Sequence, residues 1–126
     1  MIIEIDFQSE EAIYIQLRNQ IIMGIATSVL REGDSLPSVR QLAGDIGINM
    51  HTVNKAYDVL RREGYLQLDR RRGAIVALNG DKLRAMESMK DELRGLLARA
   101  RCRDISDEEI HEMVDEILED MNHGRM

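Results

Sequence analysis

"GINMHTVNKAYDVLRREGYL" (residues 47–66) combines an apolar and a polar helical pattern, which makes it the most informative segment for the fold. The apolar residues recur at steps of three and four, which predicts the buried face of a helix. They are Val53, Ala56, Tyr57 and Leu60. A distinct face with the same spacing is polar, and it carries His51, Asn54, Lys55 and Asp58. Asn49 is a favoured N-cap residue and predicts the start of this helix, which Gly64 ends.

A second short helix is predicted immediately before this one, over "SVRQLAGDIG" (residues 38–47). Ser38 followed by Gln41 has the spacing of a capping box at its start. Gly47 supplies the left-handed conformation that commonly ends a helix. Two short helices joined by a turn of three or four residues that contains glycine predict a helix-turn-helix.

The flanking sequence extends this motif on both sides. A longer helix, roughly residues 11–30, is predicted from an apolar stripe of Ile13, Leu17, Ile21 and Ile25, with Tyr14, Ile22 and Val29 beside it. "REGDSLP" (31–37) breaks it. On the other side, "YLQLD" (65–69), the basic turn "RRRG" (70–73) and "AIVAL" (74–78) predict a β-hairpin. Helix, helix, helix, hairpin is the order of a winged helix-turn-helix.

The last third of the chain is predicted to be a separate helical tail. Asn79–Gly80 marks the boundary, which divides the chain into residues 1–78 and 79–126. Helices are predicted over residues 81–101 and 106–122, the second opened by a capping-box pattern at Ser106 and Glu109. The expected fold class is therefore mostly α with a small β-hairpin, comprising an N-terminal winged helix-turn-helix and a C-terminal two-helix dimerisation hairpin.

Composition narrows the classes of function. The chain has 126 residues and a net charge of −6, yet residues 37–78 carry seven basic against four acidic side chains, a local charge of +3. A locally basic centre is compatible with DNA binding, because the local field acts on the ligand. The N-terminus lacks a signal-peptide pattern, no apolar run is long enough for a membrane span, and Cys102 is the only cysteine, so a cytoplasmic protein is predicted.

The polar front of the helix after Asn49 is the candidate DNA-reading surface. In a helix-turn-helix the second helix enters the major groove and its N-terminal residues meet base edges. Asn54 suits adenine, Met50 suits a thymine methyl group, and Thr52 suits a phosphate. We place Asp58 beyond the contact zone, because its charge would repel phosphate. The alternative is a solvated polar face that reads nothing.

"DSLPSVRQLAGDIGINMHTVNKAYDVLRREGYL" closely resembles the DNA-binding domain of the GntR family of bacterial regulators, and "LPSVRQLA", "NMHTVNKAY" and "REGYL" resemble its YtrA subfamily. The resemblance covers roughly residues 7–78, and the short two-helix tail also resembles that subfamily. It implies a DNA contact from Arg40 and recognition contacts from the front of the following helix. The implied recognition residues are Asn49, Met50, His51, Thr52 and Asn54.

The β-hairpin, or wing, departs from the pattern of that family. The family reads Gly-x-Gly, a small residue, an aromatic and Val, whereas this chain has "RRGAIV", with Arg71, Ala74 and Ile75 in place of the first glycine, the small polar residue and the aromatic. Gly73 remains and is expected to approach the minor groove. Arg70, Arg71 and Arg72 are expected to contact phosphates. Lys55, on the polar face of the preceding helix, is also expected to contact DNA.

The tail is predicted to form a homodimer. Its apolar stripes exceed what two helices can bury against each other, so a two-fold partner is expected. The residues assigned to that interface are Leu83, Met86, Leu93, Leu97, Ile110, Met113, Val114, Ile117, Leu118 and Met121. Two winged domains would then bind an inverted repeat in double-stranded DNA, with repression more favoured than activation. The resemblance implies a bacterial operon, often linked to a transporter.

Other interpretations remain open at this stage. A winged helix can serve as a protein-interaction module without specific DNA binding. His111 with Glu112 and Asp115 has one element of a metal motif but lacks its second histidine. Cys102 lies between two arginines, and an inert thiol is preferred to a redox switch as its interpretation. No nucleophile–base set, phosphate loop or Cys/His cluster is present, so neither an enzyme nor a cofactor is predicted. A small-molecule effector is left open, with the tail or residues 79–85 as its place.

Overall fold

The computed structural model describes residues 2–124, which divide into two units at the bond between Asn79 and Gly80. The first unit contains α1 (Ile13–Ala26), α2 (Val39–Ile46), α3 (Met50–Arg62), β1 (Leu66–Asp69) and β2 (Gly73–Val76). The second contains α4 (Lys82–Cys102) and α5 (Asp107–Asn122). This confirms the predicted fold class, mostly helical with one small antiparallel hairpin.

The core of the first unit is built around α3. The four apolar residues predicted to be buried on this helix are buried: Val53, Ala56, Tyr57 and Leu60. They pack with Leu17 and Ile21 of α1 and with Leu42 and Ala43 of α2. All of the buried apolar side chains among the described residues lie between Leu17 and Val76. The first unit therefore has a complete core of its own.

Capping fixes both ends of α2 and the start of α3. The Ser38 hydroxyl accepts the Gln41 N–H at 3.1 Å and starts α2. Gly47 ends it with φ of +81°, a conformation that costs a glycine little. The Asn49 side-chain oxygen then accepts the His51 N–H at 2.7 Å and starts α3. The chain thus enters α3 with its first turn held at a defined angle.

Helix α1 is shorter than predicted, because it ends at Ala26 and not near residue 30. Ser28 has φ of +64°, which reverses the chain, and the Leu30 N–H donates to the Gly24 carbonyl. Leu30 is thereby buried against the core, whereas Val29, predicted to lie beside the apolar stripe, is exposed. The turn contains neither glycine nor proline, so its sequence carries no strong signal for it.

Two glutamines of α1 hold the segment that precedes it. The buried Gln16 amide accepts the Asp6 N–H at 2.9 Å and donates to the carbonyls of Asp6 and Glu11. Gln20 accepts the Glu4 N–H and donates to the Glu4 carbonyl. These bonds satisfy backbone groups that no strand partner reaches, and they let Ile3 and Ile5 pack on the core.

Tyr57 links α3 to the start of α2. Its hydroxyl donates to the Pro37 carbonyl at 2.7 Å, and burial raises its pKa to about 12. Because of this raised pKa, the Tyr57 hydroxyl stays protonated in the folded chain at a pH near 10, where the same hydroxyl begins to ionise in the unfolded chain. The stabilisation is therefore complete below pH 10 and is lost as the pH rises toward 12.

We expect Tyr57→Phe to lower the free energy of unfolding by about 1 kcal/mol at pH 7, because the Pro37 carbonyl loses its donor. We also expect the variant to lose stability less steeply than the wild type above pH 10. Urea unfolding at several pH values measures both effects. Parallel curves for the two proteins above pH 10 would contradict this account of Tyr57.

The second unit consists of two capped helices. The Asp81 side chain accepts the Arg84 N–H at the start of α4. At the start of α5, Ser106 and Glu109 form both bonds of the predicted capping box. The Glu109 carboxylate accepts the Ser106 N–H, and this bond lowers the pKa of Glu109. No residue of either helix is buried, although both helices carry apolar stripes.

Candidate nucleic-acid interface

The N-cap and the first two turns of α3 present the predicted recognition residues. Met50 is the first residue of the helix and is 44% exposed. His51 and Asn54 are also exposed, whereas Thr52 is half-buried. Asn49 is partly engaged, because its side-chain oxygen caps the helix. Its amide N–H groups are then the part of this side chain left to donate to a ligand.

Residues at the starts of α2 and α3 line one shallow concave surface. It is lined by Val39, Asn49, Met50, His51 and Asn54. The surface combines apolar side chains with amide and imidazole groups. Major-groove base edges present a matching mixture of donors, acceptors and the thymine methyl group.

Arg40 follows Val39 on α2, and it is exposed. Among residues 2–124 its guanidinium has no hydrogen-bond or ion-pair partner, so the group is available to a phosphate or a base.

Lys55 and Asp58, farther along α3, are held by neighbouring side chains. The Lys55 ammonium lies 4.1 Å from the centroid of the Tyr14 ring, a cation–π contact. Asp58 accepts a hydrogen bond from Arg61 and lies 3.2 Å from Arg62. The Arg61 bond, together with the charge of Arg62, lowers the pKa of Asp58. Lys55 would have to leave the Tyr14 ring to reach a phosphate.

The wing is a regular hairpin with a basic tip. Leu66 pairs with Val76 and Asp69 with Gly73 across the two strands. At the tip, the Asp69 carboxylate accepts the backbone N–H groups of Arg71 at 2.8 Å and Arg72 at 3.1 Å. These two bonds lower the pKa of Asp69, the Arg71 bond most strongly. Gly73 follows with φ of +75°.

The three wing arginines are exposed but not equivalent. The Arg72 guanidinium donates to the carbonyl of Gly33, in the loop between α1 and α2. No side-chain partner of Arg70 or Arg71 is present among the described residues. The structure therefore leaves two of the three predicted phosphate contacts unengaged.

Gln67 is a candidate that the sequence interpretation missed. It is exposed on β1 and lines a cavity of about 260 Å³ between α3 and the wing, together with Asn54 and Arg61. Neighbouring residues of a strand face opposite sides, so Gln67 is expected to be exposed because Leu66 is buried. The apolar–polar alternation of residues 65–69 is too weak to show this clearly in the sequence.

The core, the capped turn and the hairpin together define a winged helix-turn-helix with an exposed, polar recognition helix. Residues 10–76 match the family described as "Bacterial regulatory proteins, gntR family". The chain therefore belongs to the GntR family, as its resemblance implied.

Individual relatives agree with this assignment. The chain is 35% identical to the HTH-type transcriptional repressor YtrA of Bacillus subtilis, covering 98% of this chain and 97% of that protein. It is 39% identical to YtrA from Sulfolobus acidocaldarius, a GntR-family transcription factor, with a TM-score of 0.67 over 81% of this chain and 99% of that one. These likenesses confirm the YtrA-type assignment and place the chain among transcriptional regulators, not enzymes.

A solved complex adds a DNA-bound relative. The DNA-binding domain of AraR in complex with operator ORX1 is 25% identical, with a TM-score of 0.52 over 60% of this chain and 96% of that one.

Within the described part of this chain, no helix combines the length and the apolar character that a membrane span requires.

Proposed function

We propose that this chain is a homodimeric repressor that binds an inverted-repeat operator through α3 and the wing. The observation that carries the proposal is the first two turns of α3, where Met50, His51 and Asn54 are exposed around one concave surface. Exposed amide and imidazole groups at the tip of the second helix of the motif suit base edges in the major groove.

The wing and Arg40 supply the basic groups for this interface. Arg40, Arg70 and Arg71 are exposed and have no ion-pair partner among residues 2–124, so they can neutralise phosphates. We also keep Thr52, Lys55 and Gly73 as proposed contacts, with Lys55 required to leave the Tyr14 ring, whereas Arg72 is bonded to the Gly33 carbonyl in the free protein. An operator-bound AraR domain supports the choice of duplex DNA as the ligand.

The tail supports a dimer because its apolar side chains are unburied. Leu93, Leu97 and Ile117 are each 41–42% exposed, and no residue of α4 or α5 is buried. At about 25 cal/mol per Å² of apolar surface, covering two such stripes would contribute several kcal/mol. Helix α5 carries eight acidic residues and no lysine or arginine, whereas α4 carries six basic and three acidic residues. This charge difference favours pairing α5 of one copy with α4 of another.

The remaining parts of the proposal follow from the family. A dimer places two winged domains on two half-sites, so the operator is an inverted repeat and its occupation obstructs transcription. The repressor name of the Bacillus subtilis relative supports repression. We propose a cytoplasmic location and a bacterial operon, often transporter-linked. A small-molecule effector is not required by this mechanism.

Selection of duplexes from a random pool by the full chain tests the function. We expect an inverted repeat to emerge and its affinity to fall by about 0.9 log units per log unit of salt for each phosphate contacted. A matched duplex with both half-sites scrambled serves as the control. Equal affinity for the two duplexes, or none for either, would favour a protein-interaction module.

We expect Met50 to read a thymine methyl group within the selected half-site. Replacing that thymine by uracil removes one methyl, which we expect to weaken wild-type binding by about 1 kcal/mol or roughly fivefold. The Met50→Ala variant should show little difference between the two duplexes. Testing each thymine of the half-site in turn locates the contact, and a Met50→Ala variant that keeps the full wild-type penalty at every thymine would contradict it.

A further inference from the structure

Backbone hydrogen bonds join β2 of the wing to residues 33–36, in the loop before α2. The Gly33 N–H donates to the Val76 carbonyl at 2.7 Å, and the Leu36 N–H donates to the Ala74 carbonyl at 2.8 Å. In return, the Val76 N–H donates to the Asp34 carbonyl at 2.8 Å. Residues 33–36 therefore pair with β2 as a short extended segment, with an isolated antiparallel β-bridge between Ser35 and Ile75.

The Arg72 side chain adds a further bond between the wing and this loop. Its guanidinium donates to the Gly33 carbonyl, so a residue of the wing tip is tied to the loop that leads into α2. The Asp69 carboxylate also orders this tip, by accepting the backbone N–H groups of Arg71 and Arg72. Arg70 and Arg71 have no corresponding side-chain bond among the described residues.

We infer that Arg72 is a positioning residue, which fixes the wing so that Arg70 and Arg71 meet the phosphates. The inference rests on the proposed DNA-binding function and divides the labour among three consecutive arginines. A side chain that is tied to a backbone carbonyl in the free protein gives order to the tip. The unengaged side chains on the same ordered tip then reach the DNA with less loss of conformational freedom.

Amide hydrogen exchange of the DNA-free protein tests the positioning role directly. We expect Arg72→Ala to speed exchange at the amides of Gly33, Leu36 and Val76 by about fivefold, the change for one lost hydrogen bond of about 1 kcal/mol. Arg72→Lys keeps a donor and should restore part of the protection. Arg70→Gln is the matched control, because it removes a neighbouring arginine without removing a bond, and exchange should stay at the wild-type rate.

Operator binding by a double-mutant cycle then separates positioning from direct contact. We expect Arg71→Gln to weaken binding and to lower the salt slope by about 0.9 in the wild-type background. If Arg72 acts by positioning Arg71, the same substitution in the Arg72→Ala background has a much smaller effect. Additive losses, with Arg72→Ala alone removing another 0.9 of slope and leaving amide exchange unchanged, would overturn the proposal.

Failure of the proposed function has a different signature. If the wild-type chain shows no specific DNA binding, the binding cycle has no signal to divide. The exchange experiment still decides whether Arg72 orders the wing, because it uses the DNA-free chain. Unchanged exchange in Arg72→Ala overturns the inference whatever the chain binds.

Discussion

A chain truncated after Asn79 is expected to have the mass of a monomer, whereas the full chain has the mass of a dimer. The buried apolar side chains of the described residues all lie before residue 79, so the truncated chain keeps its core. It loses α4 and α5, whose apolar stripes are unburied. Light scattering at tens of micromolar protein measures both masses.

The same truncation should weaken operator binding by about 100-fold or more. Two linked half-site contacts gain a large effective concentration, and a lone winged domain loses that gain. Affinity for a duplex with a single half-site should change little. A truncated chain that still dimerises would move the interface to the winged domain, and a monomeric full chain would remove the dimer altogether.

A point variant separates loss of the interface from loss of the tail. Ile117→Glu places a charge within the apolar stripe of α5, and we expect it to dissociate the dimer, because a charge buried in an apolar interface is costly. Glu112→Gln lies on the same helix at an exposed position and is the matched control. Helicity measured by circular dichroism identifies any variant in which α5 fails to form.

The elements that the sequence predicted well are those with local signals. The apolar spacing of Val53, Tyr57 and Leu60 forecast the buried face of α3, and that face is the one observed. Capping residues forecast the starts of α2 and α3 because the side chains of Ser38 and Asn49 satisfy the first N–H groups of these helices. Such preferences act over a few residues and are therefore legible in one chain.

The features that escaped the sequence depend on distant partners. The end of α1 at Ala26 depends on Leu30 packing next to Gly24, and Ser28 adopts positive φ to permit it. The bond from Arg72 to the Gly33 carbonyl joins residues 39 positions apart. Three consecutive arginines look alike in sequence, so only the tertiary arrangement distinguishes Arg72 from its neighbours.

Asn54→Ala is expected to change which sequences the protein selects. Asn54 is exposed on α3, borders the concave surface at the front of the helix and also lines the cavity next to the wing. An asparagine amide can bond adenine N6 and N7 together, so its loss should cost about 1–3 kcal/mol at one base pair. His51→Ala should relax preference at a different position, because His51 lies one turn earlier on the same exposed face.

Selection from a random pool with each variant provides the measurement. For Asn54→Ala we expect the information at one adenine position to fall while the rest of the half-site persists. Gln8→Ala, which removes an exposed amide from the segment before α1, is the control for unspecific effects. Thermal unfolding should be nearly unchanged in all three variants, because none of these side chains contributes to the core. If both α3 variants select the wild-type consensus with wild-type affinity, His51 and Asn54 do not read bases, and specificity must come from Met50, Arg40, Gln67 or the wing.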